Sequence, residues 1–435
     1  MALIRRPRPA PTDRELRLWR VGRALAVTFV TAVPVAGGVF YALVVLLDFQ
    51  EIDSTAKLDA KTLFDLVKLS FGVAAAAGAL VALVVAYRRQ RVDEAVAHRD
   101  ATRLHTERFS QAVDKLGSKS PAVRLGGVHT LAGLADDAPD DSLRQTCIDV
   151  LCTYLQLPFT SDHGSDPAHQ EEHHRYLALR KVRHTILRLI ADHYRRPRGT
   201  HRSWQGCDLD LRGVTIDTDM DFTNATFSEG TVSFELATFT TGTVSFERAA
   251  FSGARVHFDD ATFSDGVVLF TAAKLSEGLL SFRHAVFSGG RMFFESVLFS
   301  GGTASFIHAT FSKSLVRWTR AMFSGGTTSF EHATFSGATM SFDGSGFTGG
   351  TMSSKYATFS GSTMSFEVAT FSGGSVSFER TEFTAGTMSF REAQGGPAPA
   401  GLVNAHTTGS AQVLIPSAWL PALESAAVLP WESGT

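Results

Sequence analysis

Cysteine is nearly absent from this chain of 435 residues. Cys147, Cys152 and Cys207 make neither an even disulfide framework nor a metal-binding spacing. They suit a reducing compartment, with Cys147 and Cys152 as buried structural thiols of a helix. An excess of one charge is also missing. A net charge of −2 argues against a general nucleic-acid binder and against a strongly acidic surface. No phosphate-cradling Gly-x-x-x-x-Gly-Lys loop follows a strand, and there is no Gly-x-Gly-x-x-Gly turn, no His-Glu-x-x-His helix and no Gly-x-Ser-x-Gly elbow. The many Ser-Gly pairs read as turns. Tyrosine is scarce, with six residues against 34 phenylalanines.

Those phenylalanines carry the main signal. Twenty-six of them fall in one frame from Phe222 to Phe390, at alternating steps of five and seven residues. The frame opens with Phe222, Phe227, Phe234, Phe239, Phe246, Phe251, Phe258 and Phe263. It passes through Phe306, Phe311, Trp318, Phe330 and Phe335, then Phe366, Phe371, Phe378 and Phe383. Only Leu275, Trp318 and Ser354 interrupt it. A large apolar residue recurring at a fixed short period predicts a solenoid in which like residues stack on like. Alternation in Thr339 to Phe342 puts Met and Phe on one face and Thr and Ser on the other, so Ser305 and Ser329 are expected to point outward. Alanines such as Ala225, Ala237 and Ala249 mark close corners. Gly289-Gly290 and Gly301-Gly302 are read as suppliers of positive φ in the turns. Four sides of five, seven, five and seven residues give a coil of 24 and about seven coils. A flat coil of twelve, about twice as long, is the rival. A buried Phe contributes roughly 1.5–3 kcal/mol, so Ser354 marks a weak coil whose gap Tyr356 is placed to fill in part.

Asp208-Leu209-Asp210-Leu211-Arg212-Gly213-Val214-Thr215-Ile216 carries Leu211 and Ile216 five apart. Ala333-Thr334-Phe335-Ser336-Gly337 shows the same five-residue half. This pattern resembles the pentapeptide-repeat family. The resemblance implies a right-handed β-helix, four-sided, with Leu or Phe inside. The body departs from that pattern, because every second step carries two extra residues.

Ala24 to Leu47 is free of charge, as is Leu69 to Tyr87. Each is long enough for a spanning helix. Arg5, Arg6, Arg8, Arg14, Arg17, Arg20 and Arg23 precede the first run, and Arg88, Arg89 and Arg91 follow the second. The expectation is a two-helix transmembrane hairpin over 24–87 in the cell membrane, with a basic tail over 1–23 and both termini cytoplasmic. The bilayer is then one partner. Gly72, Ala74 to Ala77 and Gly78 make a small-residue face for packing on the first span or for homo-oligomerisation.

Residues 88–200 read as a small α-helical module, HEAT- or armadillo-like. Ser120-Pro121 starts one helix, with Leu125, Val128, Leu131 and Ala135 on one face. Ile148, Leu151, Tyr154 and Leu155 line a second. Leu179, Val182, Ile186 and Ile190 line a third. Arg108 to Gly117 and Pro121 to Gly127 are similar to the middle of actinobacterial membrane-anchored pentapeptide-repeat proteins. So are Ala86 to Arg91 and Trp204 to Leu209. That resemblance implies architecture and location, and little chemistry. The solenoid spans 204–394. A linker and tail fill 395–435, where Val413 to Pro430 is apolar enough to cap the open end.

Candidate chemistry is thin. His163, His169, His173 and His174 lie near Glu171 and Glu172. They are read as a solvated helix start rather than a metal site. His284, His308 and His332 recur once per coil of the longer kind and would form one surface column, with Asp260 and Arg380 in the same column. Between Phe222 and Glu392, 14 acidic and 11 basic residues leave a balance poorly suited to imitating duplex DNA, which some pentapeptide-repeat proteins do. No catalytic, metal or cofactor site is expected, and no nucleic acid. The reading is a non-enzymatic, membrane-anchored scaffold whose solenoid offers a rigid surface to a protein partner not identified by its sequence. A DNA mimic that modulates a topoisomerase is the alternative.

Overall fold

A computed structural model describes residues 60–158, 169–402 and 412–420, with Val30, Pro34 and Gly38. The chain divides into two compact units, 1–102 and 103–435.

Among the described residues, four helices with full bounds precede the strands: α1 (Ala60–Leu116), α2 (Pro121–Asp136), α3 (Asp141–Gln156) and α4 (Gln170–Tyr194). Ser120 takes the extended backbone of an N-cap ahead of Pro121. Asp140 caps α3 by accepting from the Leu143 N–H at 2.8 Å, which satisfies one orphan donor of the first turn. The expected apolar faces are buried at Val128, Leu131, Ala135, Ile148, Leu151, Val182, Ile186 and Ile190.

The transmembrane hairpin, and with it the two-span membrane address, is overturned. Among the described residues no helix is long and apolar enough to cross a membrane. The first stretch, Ala24 to Leu47, lies outside the described residues apart from Val30, Pro34 and Gly38. The second belongs to α1, a helix of 57 residues that runs on through Arg88, Arg89 and Arg91. Freedom from charge was the sequence criterion. In α1 the uncharged stretch is continuous with a charged one, so freedom from charge over one segment does not delimit a spanning helix.

From Leu209 onward the chain winds into a parallel β-solenoid. Partners in adjacent strands stand two twelve-residue units apart along the chain, as in Thr310 opposite Thr334 and Phe311 opposite Phe335. The flat twelve-residue coil is thereby excluded. One side carries eight strands in order, so there are about eight turns, one more than the Phe count suggested. Four sides appear as three sheets, because Ala250–His257, Lys274–Ser281, Leu298–Ser305 and Met322–Ser329 each run unbroken round one corner.

Two twelve-residue halves make one turn. Where the corner breaks the strand, a half opens with a two- or three-residue strand that carries an inward Phe. A glycine-rich corner follows, then a second short strand and a second Phe. After that Phe comes a tight turn, as where the Ala249 N–H donates to the Phe246 carbonyl at 3.1 Å. The third residue of this turn has positive φ. Fourteen non-glycine residues hold it at twelve-residue spacing, among them Arg248 (53°), His308 (58°), Val368 (56°) and Arg380 (55°). Glycine fills the position at Gly344 and, in the entry coil, at Gly213. The sequence reading assigned positive φ to the glycines of the other corner. There their need is partly space, since a Cβ on Gly326 would come within 2.5 Å of the Gly301 carbonyl oxygen in the coil before.

The rings form four columns along the axis. Phe282, Phe306 and Phe330 stack with centroids 4.7 and 4.8 Å apart, and their planes lie within 11° of parallel. Trp318 lies flat on Phe294 at 3.8 Å and 2°. Neighbouring columns meet edge to face, as for Phe294 and Phe306 at 83°. The quadrupole favours that second geometry, while strand spacing imposes the first.

Serine just before a Phe is not exposed. Ser305 and Ser329 are buried, so the outward assignment fails. At the strand end the chain is already turning, and strict alternation stops there. Several of the hydroxyls serve the corner instead. Ser353 donates to Glu331 at 2.8 Å in the coil before, and Ser329 accepts from the Glu331 N–H at 3.3 Å. Ser354 stands fully buried in its Phe column with its hydroxyl unpaired. Tyr356 does not fill the gap, because it is exposed on the outside.

Both ends of the columns are covered. The Tyr194 ring, at the end of α4, stacks on Phe227 at 5.1 Å and meets Phe222 edge-on at 6.0 Å. At the far end Trp419 packs against Phe371 at 5.3 Å and Phe390 at 5.7 Å, and its indole N–H donates to the Gly395 carbonyl at 2.8 Å. The strand Gln412–Leu414 pairs with Gly386–Ser389 beside it. Residues 412–420 thus pack against that end of the columns.

Candidate functional site

The tight turns put one side chain per half-turn outside the wall. On one edge these are Leu236, Asp260, His284, His308, His332, Tyr356 and Arg380, all exposed. The positive-φ position points away from the core, so packing does not select its residue. Stacking of coils then places the side chains in register. His284 and His308 stack at 4.9 Å and 4°, His308 and His332 at 4.9 Å and 18°, and His332 and Tyr356 at 4.9 Å and 3°. Arg380 extends the series, with its guanidinium 5.5 Å from the Tyr356 ring centre and donating to the Tyr356 hydroxyl at 2.9 Å. Lys355 and Glu379 pair beside it at 2.7 Å.

The three histidines of the expected column are therefore in direct contact. Tyr356 belongs to the same series and was missed, although it lies one whole turn beyond His332. Loss of water around the ring, with His284, His332 and Arg283 close by, lowers the His308 pKa below the ordinary imidazole value. The column is an aromatic strip that ends in a cation. Aromatic side chains and arginine are the residue types that dominate protein–protein contacts.

A second concave feature lies between α4 and the first coil, with a volume of about 560 Å³. Arg180, Lys181, His184 and Arg188 line one wall, and Thr218, Asp219 and Asp221 the other. Its polar pairs are mutual. Arg180 donates to Asp217 at 2.6 Å, and the His184 ring lies 2.8 Å from the other oxygen of that carboxylate. Burial alone would raise the Asp217 pKa. His184 and Arg180 outweigh it and bring the value down to about 2. These contacts fasten the helices to the solenoid.

Nucleophile chemistry finds little support among the thiols. Burial pushes Cys147 and Cys152 up to about 12 and Cys207 up to about 11, so all three stay protonated at neutral pH. Of the helix-start histidines, His163 is outside the described residues and His169 precedes the first turn of α4. His173 and His174 lie 6.3 Å apart with tilted rings.

The fold defines a parallel β-solenoid repeat protein with Phe-rich turns, each built of two twelve-residue halves. No family model, no curated protein and no solved structure matches the chain.

Proposed function

We propose that this chain is a non-catalytic scaffold whose solenoid presents a rigid surface to a protein partner, and that its turns are a variant of the pentapeptide repeat. The observation that carries the proposal is the contrast between the two kinds of repeat position. Inward positions keep Phe and Ala through turn after turn, while the outward turn position changes freely along each edge. A wall of this kind holds its side chains at fixed spacing, so little entropy is lost when a partner docks. The strip from His284 to Arg380 supplies the aromatic and arginine groups that such contacts use. The near balance of 14 acidic and 11 basic residues between Phe222 and Glu392 argues against duplex mimicry, which needs a continuous negative stripe.

Site-specific photocrosslinking in the native host tests the reading. A photoreactive residue at Tyr356 should give a discrete protein adduct, while the same group at exposed Ser372 should give none. Equal labelling from both positions, or none from either, would remove the interaction surface from this strip.

A further inference from the structure

One corner of the solenoid breaks its own rule. The residue just before the inward core position is serine at Ser233, Ser281, Ser305, Ser329 and Ser353, and the chain places His257 between the first two. At two of these places the serine hydroxyl meets a carboxylate from the coil before, Ser281 with Asp259 and Ser353 with Glu331. At His257 the residue in that place is Glu235, 22 positions earlier, and Asp259 stands two positions later. One oxygen of each carboxylate and one ring nitrogen of His257 all lie within 4.8 Å of one another. The His257 Nδ1 is closed off from solvent and makes no hydrogen bond, although an Asp259 oxygen lies 3.5 Å away. A nitrogen closed off from solvent beside a pair of carboxylates, held only by a long contact to Asp259, is placed to share a cation with them.

We propose that Glu235, His257 and Asp259 bind a divalent transition-metal ion of the zinc type, which staples the first coils together. One imidazole nitrogen and two carboxylate oxygens are a donor set that suits Zn²⁺ and Co²⁺, with water completing the shell. In a tetrahedral shell ligand atoms on a common ion stand roughly 3.4 Å apart, so the trio closes by up to roughly 1.4 Å around it. The second carboxylate is already oriented, since an Asp259 oxygen accepts the Arg283 N–H at 3.0 Å. The rival arrangement is a metal-free one, in which a protonated His257 simply bridges the two carboxylates.

The full chain is titrated with Co²⁺, following its visible absorption, and with Zn²⁺ by calorimetry. One ion per chain is expected at the site, together with a Zn²⁺-dependent rise in melting temperature. His257→Ser restores the serine found at the neighbouring corners and so keeps the fold. It should weaken binding by at least about tenfold and abolish the thermal shift. Glu235→Gln should also weaken binding while leaving the metal-free melting temperature near that of the parent. Failure of the parent chain to bind Co²⁺, or equal binding by His257→Ser, overturns the proposal and leaves the metal-free bridge or a histidine elsewhere in the chain.

Discussion

The solenoid wall and the helical end of the same unit both bury aromatic rings, but they secure them in opposite ways. In the wall, each ring lies on its copy one turn away, and the columns need no polar group. At the helical end, one buried carboxylate does the positioning. Asp136 accepts from the Trp204 indole N–H at 3.1 Å and lies 3.2 Å from His193, whose ring stacks on Trp204 at 4.3 Å. Arg202 approaches the same carboxylate at 3.7 Å. A wall can be assembled from one local rule because every coil offers the next the same surface. A junction between unlike surfaces occurs once, so direction has to come from hydrogen bonds between particular partners.

The comparison implies that damage to the wall is severe where it falls on a ring. Phe306→Asp places an unpaired charge between Phe282 and Phe330 and should cost more than about 5 kcal/mol, with Ser305→Asp costing roughly 1–3 kcal/mol because Ser305 is also buried. Chemical denaturation of residues 103–435 measures both. A Ser305→Asp variant as stable as the parent would return that serine to the outside.

The junction should fail more gently but less locally. Asp136→Asn keeps the shape and removes the charge that His193 and Arg202 face. A loss of about 2–4 kcal/mol is expected, accompanied by a change in Trp204 fluorescence before the wall unfolds. Unfolding of the wall and junction in one step with unchanged fluorescence would mean that the two regions are not separable.

The smallest effect concerns the outer turn. Val368 is β-branched, sits at a φ of 56° and is half exposed, so its conformation is strained while its side chain packs little. Val368→Gly should stabilise the chain by up to about 1 kcal/mol, once the extra freedom of the unfolded glycine is subtracted. Destabilisation would show that the outward column takes part in holding the wall, which the contrast between inner and outer positions denies.

Much of this was legible in order. The alternation of fives and sevens favoured a four-sided turn of 24 residues over a flat one of twelve, and the strand register decided between them. The helical faces of α2, α3 and α4 followed from apolar spacing. The left-handed turn residues did not, because Arg, His and Val carry no conventional mark of positive φ. They hold it here because the coils on either side satisfy the turn's backbone groups, as where the His308 N–H donates to the Glu331 carbonyl at 3.0 Å. The buried serines were misassigned because alternation describes straight strands and these strands bend after a few residues. The membrane hairpin rested on absence of charge, a property of composition that does not by itself make a spanning helix.

By itself the sequence determined the period, the ring columns and the direction in which each Phe faces, because these depend on local repetition and on excluding water from large apolar groups. Tertiary structure alone decided which distant side chains meet. It set Tyr356 on the outer strip instead of in the core, joined Asp136 to Trp204, and brought Glu235 to His257 and Asp259. Each of these contacts depends on the register between coils or on the docking of helices, and strand spacing of about 4.8 Å turns a separation of one whole coil along the chain into direct contact.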